Sequence, residues 1–186
     1  MKKIILSNEQ IVEICKRLAS ELEERFANTD SVPVFVGVVK GALPFMFELI
    51  KHYTKPMYID FVQVSSYQNQ ESTGTIVLKK DVTTPLKGRD VVIIEDIVDT
   101  GFTMNYLVKF LKEHYNPNSI TTDALLDKKC KRKLPFELDH FGMEVGDEFV
   151  VGFGFDYDEL ERNTPYIFVP DEKQIETWNK LNKDNN

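Results

Sequence analysis

The sequence is poor in cysteine. Cys15 and Cys130 stand far apart in unrelated contexts, which leaves neither a disulfide framework nor a metal knuckle and makes a reducing compartment the default. It also lacks a surplus of positive charge. Thirty acidic residues against 23 basic ones give a net charge of −7, which argues against nonspecific binding to nucleic acid or an anionic membrane surface but not against a small anion. Long apolar runs are missing. None approaches the roughly 20 residues of a membrane span. Ile4-Ile5-Leu6 follows Lys2-Lys3 as in a secretion signal, but Ser7-Asn8-Glu9 ends the run well short of the about 7–15 residues a signal needs. The expectation is a soluble protein that stays in the cytoplasm. His52, His114 and His140 have no metal-ligand spacing, and the first two sit near the ends of expected helices while His140 falls in an expected loop. No repeat, low-complexity tract or linker interrupts the 186 residues, so the expectation is a single domain over residues 1–186 with one sizeable core.

What is present is an alternation of helical and strand patterns. Ser7 and Gln10 form a capping box ahead of Ile11, Ile14, Cys15, Leu18 and Leu22 at helical spacing, which predicts a helix from 8 to about 27. Cys15 falls on its apolar face and reads as a core thiol. Val34 to Val39 is a short, nearly continuous apolar run, the mark of a strand buried on both faces, and a short helix with Pro44 in its first turn follows. Residues 57–66 and 75–81 are β-rich and are separated by a polar stretch, 67–74, that reads as the tip of a long β-excursion. Val91 to Ile94 is a second buried strand running into Glu95-Asp96. A helical period then ends near Tyr115, and Ile120 to Leu126 is the next strand, which together make a βαβ unit. Residues 148–155 and 165–169 read as two further strands, and Gln174 to Leu181 as a terminal helix docked by Ile175 and Trp178. The economical fold is α/β with a mainly parallel sheet.

The chemistry concentrates in Glu95-Asp96-Ile97-Val98-Asp99-Thr100-Gly101-Phe102-Thr103. Open α/β sheets bind ligands beyond the carboxyl ends of their strands. The turn into a helix there presents unpaired N–H groups and the positive end of the helix dipole, a seat for phosphate. Gly101 permits close approach, and Thr100 and Thr103 add hydroxyl donors. Adjacent carboxylates at Glu95 and Asp96 would repel a phosphate unless they face a vicinal diol or Mg²⁺. A ligand carrying a sugar, phosphates and bound magnesium satisfies both requirements. An Asp-Thr-Gly tripeptide also occurs in aspartic proteases, but those are β proteins and here a helical pattern follows.

This segment resembles the 5-phosphoribosyl-1-pyrophosphate (PRPP) motif of type I phosphoribosyltransferases: four apolar residues, two acids, two apolar residues, then Asp-Thr-Gly-x-Thr. Other segments resemble the hypoxanthine-guanine phosphoribosyltransferases, from about Val34 to Val169. Val38-Val39-Lys40-Gly41-Ala42 is similar to that family's pyrophosphate loop, which implies pyrophosphate binding by Lys40 and Gly41 and a cis Val39–Lys40 bond. Ser65-Ser66-Tyr67 resembles the start of the mobile loop that closes over the family's site, although Gln68 stands where glycine is common. In Leu125-Leu126-Asp127-Lys128-Lys129, Lys128 aligns with the lysine that donates to a purine 6-oxo group, with Lys129 as the alternative and a solvated basic loop over 128–133 as the plain reading. An ammonium donor suits a 6-oxopurine and cannot pair with the 6-amino group of adenine. In the stretch from Glu148 to Tyr157, the resemblance implies that Phe149 stacks on the base, Val150 presents backbone to its edge and Asp156 holds Mg²⁺. Arg162 matches the arginine that clamps pyrophosphate.

The resemblance implies a type I phosphoribosyltransferase fold, with a mainly parallel central sheet flanked by helices and a small hood formed by terminal segments. It implies transfer of the 5-phosphoribosyl group from PRPP to a 6-oxopurine, releasing pyrophosphate. Glu95 and Asp96 would act on the ribose hydroxyls and Mg²⁺, and Asp99 as the general base taking the N7 proton. It further implies a homodimer or homotetramer. A non-catalytic PRPP-binding regulator, or a transferase for another base, are the competing readings. A regulator would ordinarily add a nucleic-acid-binding module or basic face, for which this chain has neither spare length nor charge.

Overall fold

Ser7 caps the first helix as its position suggests: its hydroxyl accepts from the Gln10 N–H, and the Gln10 side chain accepts from the Ser7 N–H at 2.9 Å. The computed structural model describes residues 3–66 and 76–184. In it, strand β1 (Lys3–Leu6) leads into helix α1 (Asn8–Arg25), whose Ile11, Cys15, Leu18 and Leu22 are fully buried. Burial, with the Glu48 and Asp123 carboxylates nearby, pushes the Cys15 thiol up to about 12, so it is an inert core group. Then follow β2 (Val34–Val39), α2 (Leu43–Ile50), β3 (Tyr58–Ser66), β4 (Ile76–Lys80), β5 (Asp90–Val98), α3 (Phe102–Tyr115) and β6 (Ser119–Asp127). The chain ends with β7 (His140–Glu144), β8 (Ile167–Val169) and α4 (Glu172–Asp184).

The main sheet has the order β4-β3-β2-β5-β6-β7, and every neighbouring pair is parallel except the hairpin pair β3 and β4. Strands β2 and β5 are central, and both faces of each are covered, which explains their unbroken apolar sequences. Phe35, Val92, Ile94 and Leu125 pack under α1 and α2, while Val36, Val91, Ile93 and Ala124 pack under Leu107 and Leu111 of α3. A third, smaller cluster of Val151, Phe168 and Trp178 joins α4 to the antiparallel β1–β8 pair. This small second layer is the hood.

The structure departs from the sequence expectation in four places. Strand β5 continues through Glu95 and Asp96 to Val98, because Glu95, Ile97 and Val98 pair in register with Ala124, Leu126 and Asp127 of β6. Residues 148–155 are not a strand. Val151 makes one bridge to Phe168, and Gly152, Phe153 and Gly154 all take positive φ, which turns the chain across the sheet instead of along it. His140 lies in edge strand β7, not in a loop, with its ring half-buried. Strand β1 is too short for its alternation to be seen without its partner, β8.

Candidate active site

Because β5 reaches Val98, the loop proper is only Asp99-Thr100-Gly101, and α3 begins at Phe102 with Thr103 in its first turn. Gly101 has φ of 84°, and an added Cβ would come within 3.0 Å of the Leu134 carbonyl oxygen, so the loop needs glycine for both conformation and space. The Asp99 carboxylate is exposed and accepts from the Thr100 N–H. Between this loop and the end of β2 lies a cavity of about 190 Å³ lined by Val39, Gly41, Glu95, Asp99, Gly101 and Thr103. It opens at the carboxyl ends of the two central strands, where α/β sheets place ligands.

Glu95 and Asp96 stay close at the end of β5: the Asp96 N–H donates to Glu95 Oε1 at 3.4 Å, and the two carboxyl groups interact with each other. Glu95 is buried, and its Oε2 has no hydrogen-bond partner among the described residues. Burial pushes its carboxyl well above the usual carboxylate range, and Asp96 beside it adds to the rise. Asp96 faces the end of β2: a Cβ on Gly41 would fall 2.0 Å from Asp96 Oδ2, so only glycine lets the Lys40-Gly41 backbone lie over this acid.

The Val39–Lys40 peptide is cis, as the resemblance implied. Lys40 Nζ lies 2.7 Å from Glu159 Oε2, on the segment crossing from the hood. Arg162 binds the same acid, with Nη2 3.3 Å from Glu159 Oε1 and 2.9 Å from Asp156 Oδ1, while its Nη1 donates to the Gly154 carbonyl at 2.7 Å. Asp156 also accepts from the Glu159 N–H at 2.8 Å. Lys40, far away in sequence, thus meets Asp156 and Arg162 at Glu159, which sequence reasoning left unassigned.

At the end of β6, Lys128 Nζ donates to the Glu148 carbonyl at 2.7 Å, beside Phe149. Lys129 instead reaches Glu144 at 3.1 Å and lies over the Phe141 ring, so of the two lysines it is Lys128 whose side chain meets the Glu148-Phe149 segment. Lys131 pairs with Asp147 and Arg132 with Asp127, so the basic run is largely neutralised by neighbouring acids. Phe149 is 52% exposed, an unusual state for phenylalanine, and Tyr157 supports it edge-on at 6.1 Å between ring centroids. Val150 is buried. Ser65 pairs with Val77 of β4, its hydroxyl buried without a hydrogen-bond partner among the described residues, and Ser66 pairs with Ile76. Tyr67 and the polar stretch after it lie outside the described residues.

No group of three or more histidine, cysteine or acidic side chains gathers in metal-binding distance among the described residues. A magnesium ion carried in by a polyphosphate asks for less, usually one or two carboxylates with the rest of its shell from phosphate and water. Glu95, whose Oε2 has no hydrogen-bond partner among the described residues, and Asp96 next to it fit that requirement, and Asp156, ion-paired with Arg162, is a further carboxylate on the hood segment.

A family model described as a phosphoribosyl transferase domain matches residues 1–158. The chain belongs to the phosphoribosyltransferase family. Its sheet order, helices and hood are accordingly the type I phosphoribosyltransferase fold. A hypoxanthine-guanine phosphoribosyltransferase of Bacillus subtilis is 45% identical over 170 residues, covering 91% of this chain and 93% of that protein. Another, from Streptococcus thermophilus, is 44% identical over 181 residues and covers 97% of both chains. A solved hypoxanthine phosphoribosyltransferase from Staphylococcus aureus superposes with a TM-score of 0.87 at 40% identity, covering 93% of each chain. The phosphoribosyltransferase of Trypanosoma cruzi that acts on hypoxanthine superposes with a TM-score of 0.89 at 30% identity, over 96% of this chain and 95% of that one.

Proposed function

We propose that this phosphoribosyltransferase transfers the 5-phosphoribosyl group of PRPP to hypoxanthine or guanine, giving IMP or GMP and pyrophosphate, in purine salvage. The observation that carries the choice of base is the Lys128 ammonium held beside the exposed face of Phe149, next to the phosphate loop. It can donate to a 6-oxo group and has nothing to accept from a 6-amino group. Phe149 stacks on the purine, and Val150 lends backbone to its edge.

The N–H groups at the start of α3, with Thr100 and Thr103, seat the 5-phosphate. Lys40, the Gly41 backbone and Arg162 take the pyrophosphate. Glu95, Asp96 and Asp156 are the residues that would hold a magnesium ion, whose charge would neutralise the leaving group when bound. Glu95 and Asp96 orient the ribose hydroxyls, and their negative potential favours the positive charge that grows at the anomeric carbon as its bond to pyrophosphate breaks. Asp99 takes the N7 proton as the N9 bond forms. We place the enzyme in the cytoplasm as a homodimer or homotetramer of single-domain chains, on family resemblance. Among the described residues no helix is long and apolar enough to cross a membrane.

The test is to mix protein, PRPP and Mg²⁺ with each purine base in turn and measure nucleotide and pyrophosphate. Turnover of hypoxanthine or guanine but not adenine is expected. Tight PRPP binding with no turnover of any base would instead favour a PRPP-binding regulator.

A further inference from the structure

Arg132 lies outside the cavity, in the basic run where composition suggests a solvated side chain, yet its side chain is only 13% exposed. Its guanidinium serves three acceptors. Nη1 donates to the carbonyls of Val98 at 3.1 Å and Asp99 at 2.8 Å, and Nη2 to Asp127, which is itself 1% exposed. The Val98 carbonyl is shared with the Lys128 N–H at 2.9 Å. The next two residues continue the clasp: the N–H groups of Lys133 and Leu134 donate to the Thr100 carbonyl at 3.0 and 3.1 Å. Every carbonyl from Val98 to Thr100 is therefore held by the segment that follows Lys128, and the Asp99 side chain is left facing the cavity.

We infer that Arg132, fixed by Asp127, is a positioning residue that locks the Asp99 peptide to the strand end bearing Lys128, so that the proton acceptor and the base-binding ammonium keep one fixed separation. The inference rests on the proposed transfer reaction and names what sets its geometry. Two carbonyls and a carboxylate around one planar guanidinium define an arrangement that a lysine cannot reproduce, since its single ammonium reaches Asp127 or the carbonyls but presents no fork. Burial matters too. Removing Arg132 alone would strand a buried carboxylate and destabilise the protein, which would mask any effect on positioning.

The experiment therefore uses two variants beside the parent, with melting temperature, kcat and KM measured for each. Arg132→Lys keeps a cation next to Asp127. The expected result is a folded protein whose kcat falls at least about tenfold, the scale for a reacting group displaced by a fraction of an ångström to 1 Å, with a smaller change in KM for PRPP. Asp127→Leu with Arg132→Met removes both charges, so the core tolerates the change while the clasp is lost. It is expected to melt near the parent and to be at least as slow as Arg132→Lys, and it carries the same decision should the lysine variant unfold. A folded Arg132→Lys with kcat within about twofold of the parent, or a double variant that recovers both stability and full kcat, would overturn the inference. A parent that transfers to neither hypoxanthine nor guanine overturns the proposed function, and this inference with it; an active parent with active variants overturns this inference alone.

Discussion

The Glu159 carboxylate stands 2.7 Å from Lys40 Nζ, and its other oxygen reaches Arg162, so the two cations proposed for pyrophosphate share an internal anion. Both Lys40 and Glu159 are more than half exposed, so the pair is screened and weak, within about 0–1 kcal/mol. Incoming pyrophosphate has to displace it. Glu159→Gln is expected to lower the Kd for pyrophosphate by about two- to fivefold, with the gain shrinking at high salt, as read by calorimetric titration at two ionic strengths. Unchanged affinity would mean that Glu159 does not compete for these cations.

Lys128 and Phe149 divide the work of base recognition. Lys128→Ala is expected to cut kcat/KM for hypoxanthine by about 10- to 100-fold, the cost of a lost charge-assisted hydrogen bond, while PRPP affinity stays near that of the parent. Phe149→Leu keeps apolar area but loses the ring face, and is expected to raise KM for the base by a few-fold, about 0.5–1.5 kcal/mol. Steady-state kinetics with the base as varied substrate separates the two.

Asp60 contributes to stability against acid. Burial pushes its carboxyl up, but backbone N–H donors from Thr84, Phe61 and Thr83 outweigh this and hold it down at about 2, against 3.8 for a free side chain. A depressed carboxylate stabilises the fold fully above its unfolded value and loses that stabilisation as pH falls from about 4 through about 2. Asp60→Asn is expected to cost up to about 2 kcal/mol at pH 7 and nothing by pH 1.5, visible as denaturation midpoints that converge in acid.

Asp123 works in the opposite sense. It is fully buried on β6 with neither carboxylate oxygen hydrogen-bonded among the described residues, and burial raises its pKa well above the ordinary value. A raised carboxyl costs stability at neutral pH, and the cost disappears below its unfolded value. Asp123→Val, which suits a strand interior, is expected to raise the melting temperature at pH 7 by about 2–8 °C and by less at pH 4. Thermal denaturation at the two pH values checks this.

The features readable from local pattern were those whose cause is local. The capping box at Ser7 and Gln10, the two-sided apolar runs of β2 and β5, and the strand–loop–helix–strand order each depend on neighbours in sequence. What escaped depends on partners far away. Glu95 and Asp96 belong to β5 only because β6 continues alongside them, and no property of the two acids announces it. Residues 148–155 are apolar like a buried strand, but Gly152 and Gly154 let the chain turn, and whether a glycine does so is settled by what it packs against. Arg132 looked like any other cation in its basic run, because only Asp127 and the Val98 and Asp99 carbonyls distinguish the one that turns inward. Of the site residues that the resemblance implied, those in the described residues lie at or just beyond the carboxyl ends of β2, β3, β5 and β6 or on the hood segment crossing the sheet.

The most direct measurement of the central claim is the stoichiometry of transfer with the base varied and everything else constant. Parent protein with PRPP and Mg²⁺ should form one IMP per pyrophosphate released from hypoxanthine and one GMP per pyrophosphate from guanine, with no AMP from adenine. Asp99→Asn should lose most of this turnover while binding PRPP as the parent does. Nucleotide from adenine, pyrophosphate released without nucleotide, or an Asp99→Asn protein with full kcat would contradict the assignment.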